Sequence, residues 1–220
     1  FSTGAPDAPV AVAASDVALT SFTANWQTVP GATGYVVDVS TDATFAIETF
    51  GSDLFISEYV EGSVNNKYIE IYNPTGVAVN LSDYQLRLYS NGSATVTGSP
   101  STLSGTLASG ATVVYRNGSA ALPGTSGYAV ASAVNFNGDD ALELWKISTA
   151  SRVDLIGSIG EDPGTEWTGG GLSTLNRTLV RIPTVTGGVT VNPGIGFPTI
   201  ASEWTGLAID VTNLGSHTCV

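Results

Sequence analysis

Apolar and polar residues alternate along most of this chain with a period of two, the spacing of side chains on one face of a β-strand. In "SFTANW", Phe22, Ala24 and Trp26 fall on one face; after the turn signal "TVPGATG", Tyr35, Val37 and Val39 share a face of "YVVDVS". The pattern resumes at Leu54 and Ile56, again at Tyr68, Glu70 and Tyr72, and over Tyr84–Tyr89. Later strands are predicted from "ATVVYRNG", "YAVAS", "ALELWKI", "RVDLIGSIG" and "TLNRTLVRI". Turn-rich stretches such as "EGSVNN", "NPTG" and "SNGS" separate them. No apolar spacing of i, i+3, i+4, i+7 persists over three turns, and no run approaches the roughly 18–20 residues of a membrane span. Strand candidates recurring every 8–15 residues or so predict an all-β sandwich.

Composition agrees with many short strands joined by turns, with 26 Gly and 10 Pro in 220 residues. Charged residues are 12% of the chain, about half the usual share. The formal net charge is −12, with two Lys and five Arg, so the basic stripe that displaces counterions from nucleic acid is missing. A low-charge acidic surface suits a secreted or bacterial cell-surface protein, and a chain that starts at Phe1 and contains no Met reads as a mature or excised segment. The one cysteine, Cys219, excludes an internal disulfide and leaves an intermolecular bridge or anchor open.

Candidate chemistry is sparse. His217 and Cys219 are the only residues of their types, and two ligands fall short of the three or four that zinc needs; the expectation is a frayed terminal segment. Asp139 and Asp140 in "NFNGDDALEL", with Glu161 and Asp162 in "GSIGEDPGTEW", offer oxygens of the kind calcium takes, but the regular loop spacing is absent and conformational turns explain them as well. No other cofactor is expected. "TGGGL" (168–172) lacks the Lys-Ser/Thr of a phosphate loop. Glu58 and Glu70 fall inside strands, either on a half-exposed face or bonded to nearby amides or Lys67. "EWTG" occurs at 166–169 and 203–206, where Trp167 and Trp204 either anchor loops or form a ligand-binding aromatic pair. Four N-x-S/T triplets begin at Asn80, Asn91, Asn117 and Asn176.

Two resemblances organise the chain. "SFTANWQTVPGATGYVVDVSTDATF" resembles the first half of a fibronectin type III domain, with Trp26 and Tyr35 at the places of its core aromatics. "ISEY", "KYIEIYNPTG", "NLSDYQLRLY", "LASGATVVY", "NGDDALELWK" and "VDLIGSIGEDPGTEW" resemble, in that order, the lamin-tail domain, an immunoglobulin-like sandwich. The expected architecture is therefore all-β. Partial fibronectin III-like strands occupy residues 1–45, a connector 46–53, and a lamin-tail-like immunoglobulin-like sandwich 54–220. With no catalytic set in view, the resemblance implies a non-catalytic structural module. Phe22, Trp26, Tyr35, Val37 and Val39 form an apolar face whose second sheet is missing, so other copies of the chain or neighbouring surface proteins are the expected partners, with filament formation by strand complementation. The alternative is an accessory adhesion or binding module, for protein or glycan, of a larger secreted enzyme such as a nuclease or protease.

Overall fold

A computed structural model describes residues 10–18, 20–32 and 51–219. The chain divides into two compact units, Phe1–Ile47 and Glu48–Val220.

In the first unit, Ala11–Ser15 and Thr23–Trp26 form a two-stranded antiparallel sheet that pairs Ala11 with Trp26, Val12 with Asn25 and Ser15 with Thr23. Side chains bind the connection: the Asp16 carboxylate accepts from Thr23 Oγ1 at 3.1 Å, and Asn25 Nδ2 donates to the Ala13 carbonyl at 3.0 Å. The turn in "TVPGATG" forms at Val29–Ala32, where Ala32 N donates to the Val29 carbonyl at 3.2 Å and Gly31 has φ +88°. Pro followed by Gly at positive φ is the chemistry of a type II turn. The second strand expected over Tyr35, Val37 and Val39 lies outside the described residues.

The second unit is the sandwich. Six strands are ordered Ala129–Val130, Thr112–Arg116, Lys67–Tyr72, Phe55–Glu61, Arg177–Arg181 and Trp204–Leu207. Four more are ordered Ser151–Ile156, Ala141–Lys146, Tyr84–Tyr89 and Ser101–Thr102. One core joins the sheets: Ile56, Tyr59, Ile69 and Ile71 from the first meet Leu86, Leu88, Leu142 and Leu144 from the second. Burial of each such aliphatic side chain is worth about 1.5–3 kcal/mol. The strand expected from "YAVAS" shrinks to Ala129–Val130, an exposed pair running parallel to Tyr115–Arg116. "TGGGL" is a hairpin, with Thr168–Gly169 paired to Leu172–Ser173 and both central residues at positive φ, Gly170 at +58° and Gly171 at +80°.

Every residue of Phe55–Glu61 and of Lys67–Tyr72 is buried, although only one face of each strand meets the core. A register shift between Ile56 and Glu58 turns Phe55, Glu58 and Val60 to the far face, opposite Tyr72, Glu70 and Tyr68. Two segments roof that face. Leu122 N donates to Tyr68 Oη at 3.1 Å, and Ala120, Leu122, Tyr128 and Leu214 pack on Val60, Tyr68 and Val114. After Leu207 the chain returns across the same face, correcting the expectation of a frayed terminus.

Candidate functional site

The returning segment is anchored on carboxylates within the sheet. Asn213 N donates to Glu58 Oε1 at 2.9 Å and Gly215 N to Glu70 Oε2 at 2.6 Å, while Ser57 Oγ donates to Glu70 Oε1 at 2.7 Å. Of the two readings the sequence allowed for these glutamates, amide bonding is the one found. Burial pushes the Glu58 carboxyl up to about 8, against the amide of Asn213, and the neighbouring Glu70 adds to the rise. Glu70 is raised too, chiefly by burial. Past them, the His217 ring lies edge-on to Tyr72 at 4.9 Å and Phe55 at 5.6 Å, and burial, helped by the Arg181 charge, brings its pKa down to about 4. Cys219 Sγ lies 3.3 Å from the Val185 carbonyl, and burial raises its thiol. His217 and Cys219 are thus packing elements of the roof.

Of the two readings the sequence allowed for Trp167 and Trp204, loop anchor or ligand-binding aromatic pair, burial disfavours the second, because both are core residues exposed by 4%. Trp167 Nε1 donates to Glu161 at 3.0 Å. The ring of Trp204 carries the Arg181 guanidinium 4.3 Å above it, with Phe197 edge-on at 6.2 Å. Arg181 is itself buried, exposed by 1%. It donates to Asp154 and to Glu203, each at 2.7 Å, and to the Ile56 carbonyl at 3.0 Å. Asp154 also accepts from Ile56 N and Val189 N, each at 2.7 Å, which ties the four-stranded sheet to the six-stranded one.

The acidic loops spend their oxygens on backbone amides. Asp140 accepts from Asn91 N at 2.9 Å and Asn137 N at 3.0 Å, and burial raises its carboxyl. Asp162 accepts from Gly164 N at 2.8 Å, and Glu161 from Gly196 N as well as from Trp167. Asp139 Oδ1 is buried with no partner among the described residues. Among those residues no group of three or more His, Cys, Asp and Glu could hold a metal ion. The calcium alternative for Asp139, Asp140, Glu161 and Asp162 has no such cluster to rest on, and Asp140, Glu161 and Asp162 already serve as acceptors within the fold.

Of the expected interface residues, Phe22 is 47% exposed and Trp26 is half-buried; Tyr35, Val37 and Val39 lie outside the described residues. Val10, Val12 and Val17 are also exposed on this unit.

One arrangement escaped the sequence reading. At the end of the sandwich, where the turn between Phe55–Glu61 and Lys67–Tyr72 meets the segment 135–137, a cleft of about 370 Å³ is lined by Glu61, Val64, Lys67 and four asparagines, Asn65, Asn135, Asn137 and Asn176. These residues come from three separate stretches of chain. No local motif announces them.

A two-sheet all-β sandwich whose roofed central strands carry paired glutamates is thereby defined, immunoglobulin-like in class. The chain belongs to the lamin tail domain family, whose model matches residues 49–160. That is a non-catalytic immunoglobulin-like family. The match leaves out Arg177–Arg181 and Trp204–Leu207, which complete the six-stranded sheet, and the strands ahead of residue 49. No curated protein and no solved structure gives a significant match to the chain. No helix among the described residues is long and apolar enough to cross a membrane.

Proposed function

We propose that the chain is a structural module of a secreted or cell-surface protein that assembles with other copies of itself by β-strand complementation through its N-terminal strands. The observation that carries this reading is the strand pair Ala11–Ser15 and Thr23–Trp26, the two strands of the first unit among the described residues, with Val12 on it and Val10, Val17 and Phe22 beside it exposed to solvent. Two strands alone are marginal in water, and open strand edges pair with whatever strand arrives. A strand from a second copy satisfies both needs, and repeated head to tail the contact is heterologous and extends into a filament. A net charge of −12 keeps such an assembly away from nucleic acid.

Sedimentation velocity and electron microscopy of the full chain over rising concentration test the reading. Growing oligomers that Val12→Asp and Phe22→Asp abolish are expected. A chain that stays monomeric throughout, with the amides of Ala11–Ser15 and Thr23–Trp26 protected from exchange, would refute it.

A further inference from the structure

We infer that the asparagine-lined cleft at the end of the sandwich is a binding site for a neutral, hydroxyl-rich ligand, a short oligosaccharide in chemical class. Glu61 and Lys67 sit on its floor as a buried ion pair. Both carboxylate oxygens of Glu61 are committed, one to the Lys67 ammonium and the other to Asn176 N. The ammonium spends two of its three donors, on Glu61 and on the Gly62 carbonyl at 2.8 Å, which leaves one N–H for the cleft.

The walls are amides with unspent capacity. The side chains of Asn65, Asn137 and Asn176 form no hydrogen bond among the described residues, and Asn135 uses its carbonyl alone, accepting from Asn117 Nδ2 at 3.0 Å. Each carboxamide offers donors and an acceptor, and a hydroxyl needs one of each. The alternatives fit poorly. An anion meets a floor whose positive charge is neutralised, on a protein of net charge −12. A cation meets Lys67 and a carboxylate already saturated. An apolar ligand would strip water from the amides and leave them unpaired.

The rim is built to be rigid. Val64 stands at φ +53°, a conformation that is a genuine outlier for a β-branched residue, and its side chain is 87% exposed. Asn176 is also left-handed, at φ +51°. Asp210 holds the turn carrying Val64 and Asn65 by accepting from Ser63 N at 2.9 Å, Ser63 Oγ at 2.6 Å and Asn66 Nδ2 at 3.2 Å. Beneath, Phe136 stacks on Tyr59 at 4.7 Å. A turn pre-set in this way presents Val64 to the C–H face of a sugar ring without an ordering cost on binding.

Backbone-amide NMR of the full chain, titrated with neutral β1,4-linked glucose, β1,4-linked N-acetylglucosamine and mannose oligosaccharides and with anionic oligogalacturonate, tests the site. We expect shifts at residues 62–66, 135–137 and 176 with at least one neutral sugar, and none with oligogalacturonate. The double variant Asn137→Ala with Asn176→Gly keeps the left-handed backbone and should weaken that binding about tenfold, two hydrogen bonds being lost. Its urea midpoint should match the parent's, which separates lost binding from lost folding. No shift with any neutral sugar, equal shifts with oligogalacturonate, or unchanged affinity in the double variant would each overturn the assignment.

Discussion

Phe55–Glu61 and Thr23–Trp26 are both short antiparallel strands with alternating apolar positions, yet the first has no residue outside the interior and the second has none inside it. The difference lies in what covers them. Phe55–Glu61 has a facing sheet on one side and the returning 208–219 segment on the other. Thr23–Trp26 has one partner, Ala11–Ser15, among the described residues. Alternation therefore reports that a strand can bury a face, and the rest of the chain decides whether it does.

Substitutions in the two regions should diverge by that logic. The largest effect is expected for Arg181→Ala, which leaves Asp154 buried without its counter-ion and should cost about 3–5 kcal/mol in urea unfolding. Leu144→Ala empties a site in the shared core and should cost about 2–5 kcal/mol by the same measurement.

The roof should respond to pH. Glu58 is raised from 4.5 to about 8 on folding, so the stability it contributes is full below pH 4.5 and is lost as pH rises towards 8. His217 is lowered from 6.5 to about 4, so its contribution is full above pH 6.5 and is lost as pH falls through 4. Thermal midpoints should therefore decline from pH 6.5 to 8, where His217 no longer opposes Glu58, and Glu58→Gln should flatten that decline. A decline of equal slope in the variant would place its cause elsewhere.

Gly170→Ala adds a Cβ at φ +58° and within 2.8 Å of Ala201 Cβ, for a loss of about 1 kcal/mol or more in the same unfolding assay. The smallest effect belongs to the exposed unit: Phe22→Ala should shift the stability of the monomer by less than about 0.5 kcal/mol. A loss of several kcal/mol there would show that Phe22 is covered in solution and would end the contrast between the regions.

Much of the sandwich was legible in the sequence. Tyr84–Tyr89 and Ala141–Lys146 form where apolar alternation placed strands, and in Tyr84–Tyr89 burial follows that alternation over Tyr84–Leu88 because one face meets the core. The fully buried strands were harder, because Glu58, Glu61, Lys67 and Glu70 look like solvent-facing positions. Glu61 and Lys67 satisfy each other across one hairpin, and partners distant along the chain, Asn213, Gly215 and Asn176, complete the bonding that makes the burial of the glutamates tolerable. Trp167 and Trp204 stayed ambiguous between loop anchor and ligand platform, since an aromatic beside a glycine-rich turn reads the same whether it faces water or the core.

The amino-acid sequence by itself determined the fold class, the family and most strand positions, because these follow from local alternation, turn chemistry and motif order. The tertiary structure decided which charges are buried, that the segment after Leu207 roofs the six-stranded sheet, and that four asparagines line one cleft. Those outcomes depend on residues up to 155 positions apart, as Glu58 and Asn213 are. Burial and hydrogen-bond satisfaction belong to the packed chain as a whole and leave no mark on a local pattern.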